Sequence, residues 1–119
     1  MNIKLGILGA TGMGGRDAVI HQAKLEEKGE NYADLELVTG SPSSKGRKLG
    51  EVFREKEENL SERYSFWNPQ ECPEKNKEMV VEGLDADKIA EKVDYVISAL
   101  PSTVAANIEP ELRERGLHV

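Results

Sequence analysis

The feature that most constrains this chain is a cluster of glycines between a short apolar run and a helix-like run. The apolar run is Ile3–Leu8, and the helix-like run, Met13–Lys28, begins within the glycines. Gly9 permits a tight turn, Gly12 lets backbone N–H groups approach an anion closely, and Gly15 lets the helix lie against the strand. This context predicts a strand, a phosphate-binding turn and a helix, as in dinucleotide-binding domains. The alternative is that the glycines serve only a tight turn in a fold that binds no nucleotide.

The rest of the sequence alternates between strand-like and helix-like segments. Further strands are predicted at residues 35–39, 78–82 and 94–100, with the start of another at 117–119, and further helices at 49–56, 85–92 and 102–115. Asp85 is expected to cap the second of these helices, and Pro110 to break the third. Residues 55–77 are interpreted as an irregular excursion held down by Phe66 and Trp67. The alternation predicts an α/β fold of Rossmann type, with a doubly wound, mostly parallel sheet and ligands at the carboxyl ends of its strands.

Length and charge restrict the number of domains and the kinds of partner. A chain of 119 residues has the size of one domain, and the short strand at 117–119 predicts that this domain, residues 1–119, is incomplete at its C-terminal end. The net charge of −6 argues against binding to nucleic acid or to an anionic membrane. No apolar run is long enough to span a bilayer, and residues 1–4 lack the layout of a signal peptide, so a cytoplasmic location is expected. With Cys72 as the single cysteine, no intramolecular disulfide or cysteine-rich metal site is expected.

The loop after the second strand bears on which dinucleotide is bound. Sites that prefer NAD place a carboxylate there for the adenosine ribose, but residues 39–48 contain none. They offer serine and threonine hydroxyls together with Lys45, Arg47 and Lys48, groups that suit a 2′-phosphate. The composition therefore favours NADP over NAD. The alternative is an ordinary solvated basic loop.

A third motif lies where the strand at 94–100 meets the last helix. It reads Ser98-Ala99-Leu100-Pro101-Ser102-Thr103-Val104-Ala105, followed by Glu109-Pro110 and Gly116. Together with the glycine turn and the serine-rich basic loop, it resembles the N-terminal NADP-binding region of aspartate-semialdehyde dehydrogenases, particularly their archaeal and fungal branch. The resemblance runs from end to end of the chain and is weak across residues 55–77.

The resemblance implies a set of cofactor contacts in addition to the turn residue Gly9. Carried over residue by residue, these contacts are Thr11, Gly12, Met13, Gly14, Ser41, Ser44, Ser98, Leu100 and Pro101. One departure is Gly14, which stands where such sequences commonly have valine or another apolar residue. A glycine there costs the first helical turn about 1 kcal/mol relative to alanine.

The resemblance also implies an activity for the parent protein. Enzymes of this family reduce β-aspartyl phosphate to aspartate semialdehyde with NADPH, in the biosynthesis of lysine, threonine and methionine, and the parent is expected to be a homo-oligomer. Their catalytic cysteine, histidine base and substrate-binding arginines lie further along a longer chain, so no catalytic residue is expected in residues 1–119. Cys72 is a poor candidate because Glu71 and Glu74 would raise its pKa, and His21 and His118 have no partner at a useful spacing.

Other functions remain open at this point. Malonyl-CoA reductases and N-acetylglutamyl-phosphate reductases resemble the same family in fold and cofactor. A stand-alone dinucleotide-binding module without chemistry is the alternative outside the enzymes.

Overall fold

A computed structural model describes residues 2–119 and contains a three-stranded parallel sheet. The strands are β1 (Ile3–Leu8), β2 (Ala33–Val38) and β3 (Tyr95–Ser98), in the spatial order β2-β1-β3. The central position of β1 brings the carboxyl ends of all three strands to one edge of the sheet, with the glycine turn in the middle. The prediction of a Rossmann-type α/β fold is confirmed.

In residues 2–119, four α-helices cover the two faces of the sheet. They are α1 (Met13–Lys28), α2 (Leu49–Arg63), α3 (Ala86–Lys92) and α4 (Ser102–Glu114), with a short 3-10 helix at Glu74–Asn76. The core consists of two clusters, because successive side chains of β1 point to opposite faces. Ile7 packs with residues of α1 and α2, and Leu8 with residues of α3 and α4.

The ends of two helices follow directly from the sequence. The bounds of α1 are those predicted, and it stops because Gly29 adopts a left-handed conformation with φ of +69°. The predicted cap of α3 is confirmed, since the Asp85 carboxylate accepts bonds from the N–H groups of Asp87 and Lys88 at 3.1 and 3.3 Å.

Apart from shifts of one or two residues at the ends of β2 and β3, three predicted elements differ in the structure. Helix α2 continues to Arg63, so the first part of the expected excursion is helical. The expected strand at 78–82 contributes only single bridges, from Val80 to Lys48 and from Glu82 to Thr39. Helix α4 continues through Pro110, because Ile108 and Leu112 on either side of the proline are buried and their packing offsets the missing hydrogen bond.

The two aromatic residues of the excursion differ in their surroundings. Phe66 is 78% exposed and therefore does not anchor the segment as expected. Trp67 is half-buried and its indole N–H donates to Glu57 at 3.0 Å. Of the two aromatic residues, Trp67 is the one that anchors the segment, and it does so through a polar contact.

The outer side of β3 carries one further parallel bridge, from Tyr95 to His118, as expected for the start of a strand at 117–119. The two rings stack with centroids 4.4 Å apart. Within residues 2–119, no helix combines the length and the apolar character needed to cross a bilayer.

Candidate nucleotide-binding site

Three loops meet at the carboxyl edge of the sheet. The backbone of Gly9 lies so close to the residues after β3 that a Cβ there would be 2.9 Å from the Ala99 carbonyl oxygen and 3.3 Å from Leu100 Cδ2. A Cβ on Gly40, after β2, would lie 3.0 Å from Thr11 Oγ1. The fold therefore brings together the three motifs that the sequence predicted to form one site.

Gly9 and Gly15 play the backbone roles predicted for them. Gly9 has φ of +75°, a conformation that side chains disfavour. A Cβ on Gly15 would lie 1.9 Å from the Gly9 carbonyl oxygen, so only glycine lets α1 start this close to β1.

Neither the backbone conformation nor the space around it requires a glycine at position 12. Its φ of −81° and ψ of 174° are extended values that any residue adopts, and a Cβ would meet only the Gly9 oxygen, at 3.5 Å. The space in front of Gly12 is open. In residues 2–119, no acceptor takes the backbone N–H groups of Met13 and Gly14 in the first turn of α1. These free donors and the helix dipole together make this turn suitable for an anion.

Two threonines fix the turn against the loop after β2. The Thr39 hydroxyl is fully buried and accepts a hydrogen bond from the Gly9 N–H at 3.1 Å. The Ala10 N–H donates to the Thr39 carbonyl at 2.8 Å. Thr11 lies beside Gly40, and its side chain is therefore at the start of the serine-rich loop.

The hydroxyl groups of this loop form a small cluster. Ser41 Oγ lies 3.0 Å from Ser43 Oγ and 3.4 Å from Ser44 Oγ. Ser41 is exposed, while Ser44 is buried and helps to fold the turn by donating its N–H to the Ser41 carbonyl. Of the two predicted contacts in this loop, Ser41 is the residue on the surface, whereas Ser44 is 2% exposed.

The three cations of the loop are not equivalent. Arg47 pairs with Glu55 at 2.9 Å and Lys48 pairs with Glu78 at 2.7 Å. In each pair the hydrogen bond from the cation to the carboxylate raises the pKa of the cation. Lys45 has no ion pair with any residue from 2 to 119 and lies with its aliphatic stem against Gly83. Lys45 is therefore the cation of this loop that is free to meet a phosphate.

The residues after β3 provide the third side of the site. The Ser98 hydroxyl is buried and has no hydrogen-bond partner in the described part of the chain. Leu100 lies against the glycine turn, and Pro101 occupies the N-cap position of α4. A buried hydroxyl without a partner at the carboxyl end of a strand fits a site that is completed by a ligand.

A buried ion pair beneath the turn was not predicted from the sequence. Arg16 and Glu57 are 3% and 2% exposed, and their side chains meet at 2.8 Å. Burial favours the neutral form of Glu57, but hydrogen bonds from Gln70, Trp67 and Arg16 outweigh it and hold the pKa of this carboxyl below its usual value.

A signal for both residues is present in the helical spacing. Arg16 lies three residues before Val19 and seven before Ala23, on the apolar face of α1, and Glu57 lies four residues after Phe53 on α2. Charged residues at core positions of two helices in one domain are candidates for a buried pair.

Two grooves that border α2 differ in their charge. One, of about 780 Å³, runs from Gly12 and Met13 to Lys56 and Arg63 on α2, which is a size that suits a nucleotide. The other, of about 640 Å³, contains five glutamates and three cations: Glu51, Glu57, Glu58, Glu71, Glu78, Lys48, Arg54 and Lys77. Excess negative charge makes the second groove a poor site for phosphates.

Cys72 is not an activated thiol. It is 7% exposed, and its pKa is raised to about 11 by burial, with a further contribution from Glu74 that Lys77 opposes. Of the two acids expected to raise this pKa, Glu74 does so, but Lys77 outweighs it, so burial is the cause of the raised value. His21 is exposed on α1, and among residues 2–119 no group of three histidine, cysteine or acidic side chains is arranged to hold a metal ion.

Comparison with known proteins identifies relatives over nearly the full length of this chain. The family model described as semialdehyde dehydrogenase, NAD binding domain, matches residues 4–119. The chain is 30% identical over 115 residues to the aspartate-semialdehyde dehydrogenase of Methanothermobacter thermautotrophicus, a match that covers 95% of this chain and 28% of the relative. The chain thus spans little more than a quarter of the length of this relative.

Two solved aspartate-semialdehyde dehydrogenases have a similar fold. The aspartate-semialdehyde dehydrogenase of Candida albicans, crystallised with NADP, superposes with a TM-score of 0.74 at 25% identity over 98% of this chain and 28% of the other. The aspartate-semialdehyde dehydrogenase II of Vibrio cholerae superposes over the same share of this chain and 26% of its own, with a TM-score of 0.59 at 16% identity, which supports the fold alone.

Proposed function

This chain belongs to the semialdehyde dehydrogenase family as a NAD-binding domain, and we propose that it holds NADP for an aspartate-semialdehyde dehydrogenase. The proposal for the whole protein is the reductive dephosphorylation of β-aspartyl phosphate to aspartate semialdehyde. It is supported by the similarity to the enzyme of Methanothermobacter thermautotrophicus and to the NADP-bound enzyme of Candida albicans.

The observation that carries the proposal is the first turn of α1. The N–H groups of Met13 and Gly14 have no acceptor among residues 2–119, and the absence of a side chain on Gly12 leaves their approach open. We assign the pyrophosphate to this turn, since free amides at a helix N-terminus bind phosphate oxygens.

The pyrophosphate then lies at the centre of the carboxyl edge of the sheet, and this position assigns the other predicted cofactor contacts. Gly9 and Thr11 shape the turn, Ser41 and Ser44 lie on the β2 side, and Ser98, Leu100 and Pro101 lie on the β3 side. We assign the adenosine half with its 2′-phosphate to the first side, where Lys45 supplies positive charge, and the nicotinamide half to the second.

NADP supplies hydride transfer when it is bound, and the residues of this chain bind and orient it. The reaction at an acyl phosphate also needs a nucleophilic thiolate, and Cys72 stays protonated near neutral pH because of its raised pKa. We infer that the nucleophile and the substrate site belong to residues outside these 119, in a catalytic domain of the same protein.

Calorimetric titration with NADPH and NADH tests the cofactor. We expect NADPH to bind more tightly, because the loop after β2 offers hydroxyls and Lys45 where NAD-preferring sites have a carboxylate. Lys45→Ala should reduce the preference. Lys88→Ala, which removes an exposed lysine on α3, is the matched control and should leave it unchanged. Equal or tighter binding of NADH by the unaltered chain would contradict the assignment.

A further inference from the structure

We propose that Arg16 is a positioning residue for the cofactor, which sets the shape of the glycine turn through the carbonyl of Thr11. The proposal rests on the proposed function, since it concerns the binding of NADP at that turn. It assigns Glu57 the role of holding Arg16 in place, and it makes Trp67 a reporter of the state of the turn.

The geometry of the guanidinium group supports this role. Nη1 of Arg16 donates to the Thr11 carbonyl at 2.7 Å, while Nε and Nη2 both lie 2.8 Å from Oε2 of Glu57. The group therefore uses its rigid planar fork to bind a carboxylate and a backbone carbonyl at once. A lysine ammonium has no such fork and cannot keep both contacts in this arrangement.

The role is one of geometry and not of direct attraction to phosphate. Arg16 is 3% exposed, and its charge is neutralised by Glu57 at hydrogen-bond distance. A cation in the first turn of α1 is unfavourable beside the positive end of the helix dipole. The negative charge of Glu57 compensates for this interaction. What Arg16 contributes at the ligand is the orientation of the peptide between Thr11 and Gly12, directly before the free amides of the helix.

The pair also connects the turn to the segment after α2. Oε1 of Glu57 accepts hydrogen bonds from the Trp67 indole N–H at 3.0 Å and from the Gln70 backbone N–H at 2.8 Å. A continuous series of polar contacts thus runs from Thr11 through Arg16 and Glu57 to Trp67. Trp67 is the only tryptophan of the chain, so its fluorescence reads this contact without labelling.

The competing explanation is that the pair only joins α1 to α2. A merely structural pair would, when broken, affect every ligand of the domain alike. A positioning residue affects ligands that carry the pyrophosphate and spares those that lack it. NADP and adenosine 2′-monophosphate, which has the 2′-phosphate but no pyrophosphate, separate the two explanations.

The test is the affinity of the Arg16→Lys chain for these two ligands, with weak binding read by NMR titration. The dissociation constant for NADP should rise about tenfold, and that for adenosine 2′-monophosphate should stay within about twofold. The matched control is Arg115→Lys, because Arg115 also bridges a carboxylate, Asp87, and a backbone carbonyl, that of Glu111, but on the exposed surface. An equal change for both ligands, or no change for NADP, would overturn the proposal.

Trp67 fluorescence provides a second test on the unaltered chain. NADP should shift the emission of Trp67, adenosine 2′-monophosphate should not, and Arg16→Lys should remove the shift. If Arg16→Lys does not fold, as judged by circular dichroism, the unaltered chain alone decides: bound NADP without any emission shift overturns the positioning role. Failure of the unaltered chain to bind NADP at all would instead refute the proposed function.

Discussion

Gly14 and Gly15 are neighbours in the first turn of α1, but only Gly15 is crowded by other atoms. A Cβ on Gly14 would meet only the Cβ of Ala99, at 4.0 Å, whereas a Cβ on Gly15 would meet the backbone of Gly9 at 1.9 Å. Only the second glycine is required by the close contact of helix and strand.

Alanine substitutions should separate the two glycines. Gly14→Ala should raise the free energy of unfolding by about 0.5–1 kcal/mol, because alanine favours the helix and has room here. Gly15→Ala should lower it by at least about 2 kcal/mol, since the start of α1 must move away from β1. Urea denaturation followed by circular dichroism measures both, and equal effects would contradict the contact geometry.

Gly12→Val should abolish NADP binding while leaving the sheet assembled. The reason is steric, because a branched side chain would stand in the open space before the free amides. Backbone strain does not contribute, since the φ of −81° at Gly12 suits valine. Unchanged affinity in calorimetry would mean that the glycines serve only the fold.

At the scale of elements, the contact between α1 and α2 depends on a carboxylate. Glu57 is charged in the folded protein at neutral pH because its hydrogen bonds hold its pKa below the usual value. A lowered pKa in the folded state means that the stabilisation is complete above the unfolded pKa, about 4.3, and is lost as the pH falls through the folded pKa.

Glu57→Gln should therefore change how stability depends on pH. At pH 7 we expect a loss of about 3 kcal/mol, because Arg16 is left buried without its counter-charge. Below about pH 5, where the unaltered chain loses stability, the variant should lose less. Urea midpoints measured across this range provide the test, with Glu78→Gln at an exposed pair as control. Parallel curves for the two chains would contradict the role of Glu57.

The elements that could be predicted are those with a regular apolar pattern or a clear cap. Residues 3–8 and 13–28 and the cap at Asp85 follow from local rules. The second half of α2 could not be predicted in this way, because its core position is Glu57 and its other residues are mostly polar. The glycine turn at the candidate site was predictable for the same local reason. The Arg16–Glu57 pair that contacts this turn was not, because it is a tertiary contact between residues 41 positions apart.

For the molecule as a whole, the chain should bind NADP but should not turn over aspartate semialdehyde with phosphate. Cys72 is buried, and its pKa of about 11 leaves little thiolate at neutral pH. Absorbance at the NADPH band should stay flat. NADPH formation that is lost in Cys72→Ser would contradict this expectation and make Cys72 catalytic.

The outer side of β3 has a consequence for handling the isolated chain. Beyond the single bridge to His118, no strand in residues 2–119 pairs with this edge, and the neighbouring Tyr95 and Ile97 are 40% and 44% exposed. Unpaired backbone groups beside apolar side chains form a template on which another extended chain can add. The chain should therefore self-associate as its concentration rises, and Ile97→Lys should suppress this in sedimentation velocity by placing a charge at the edge.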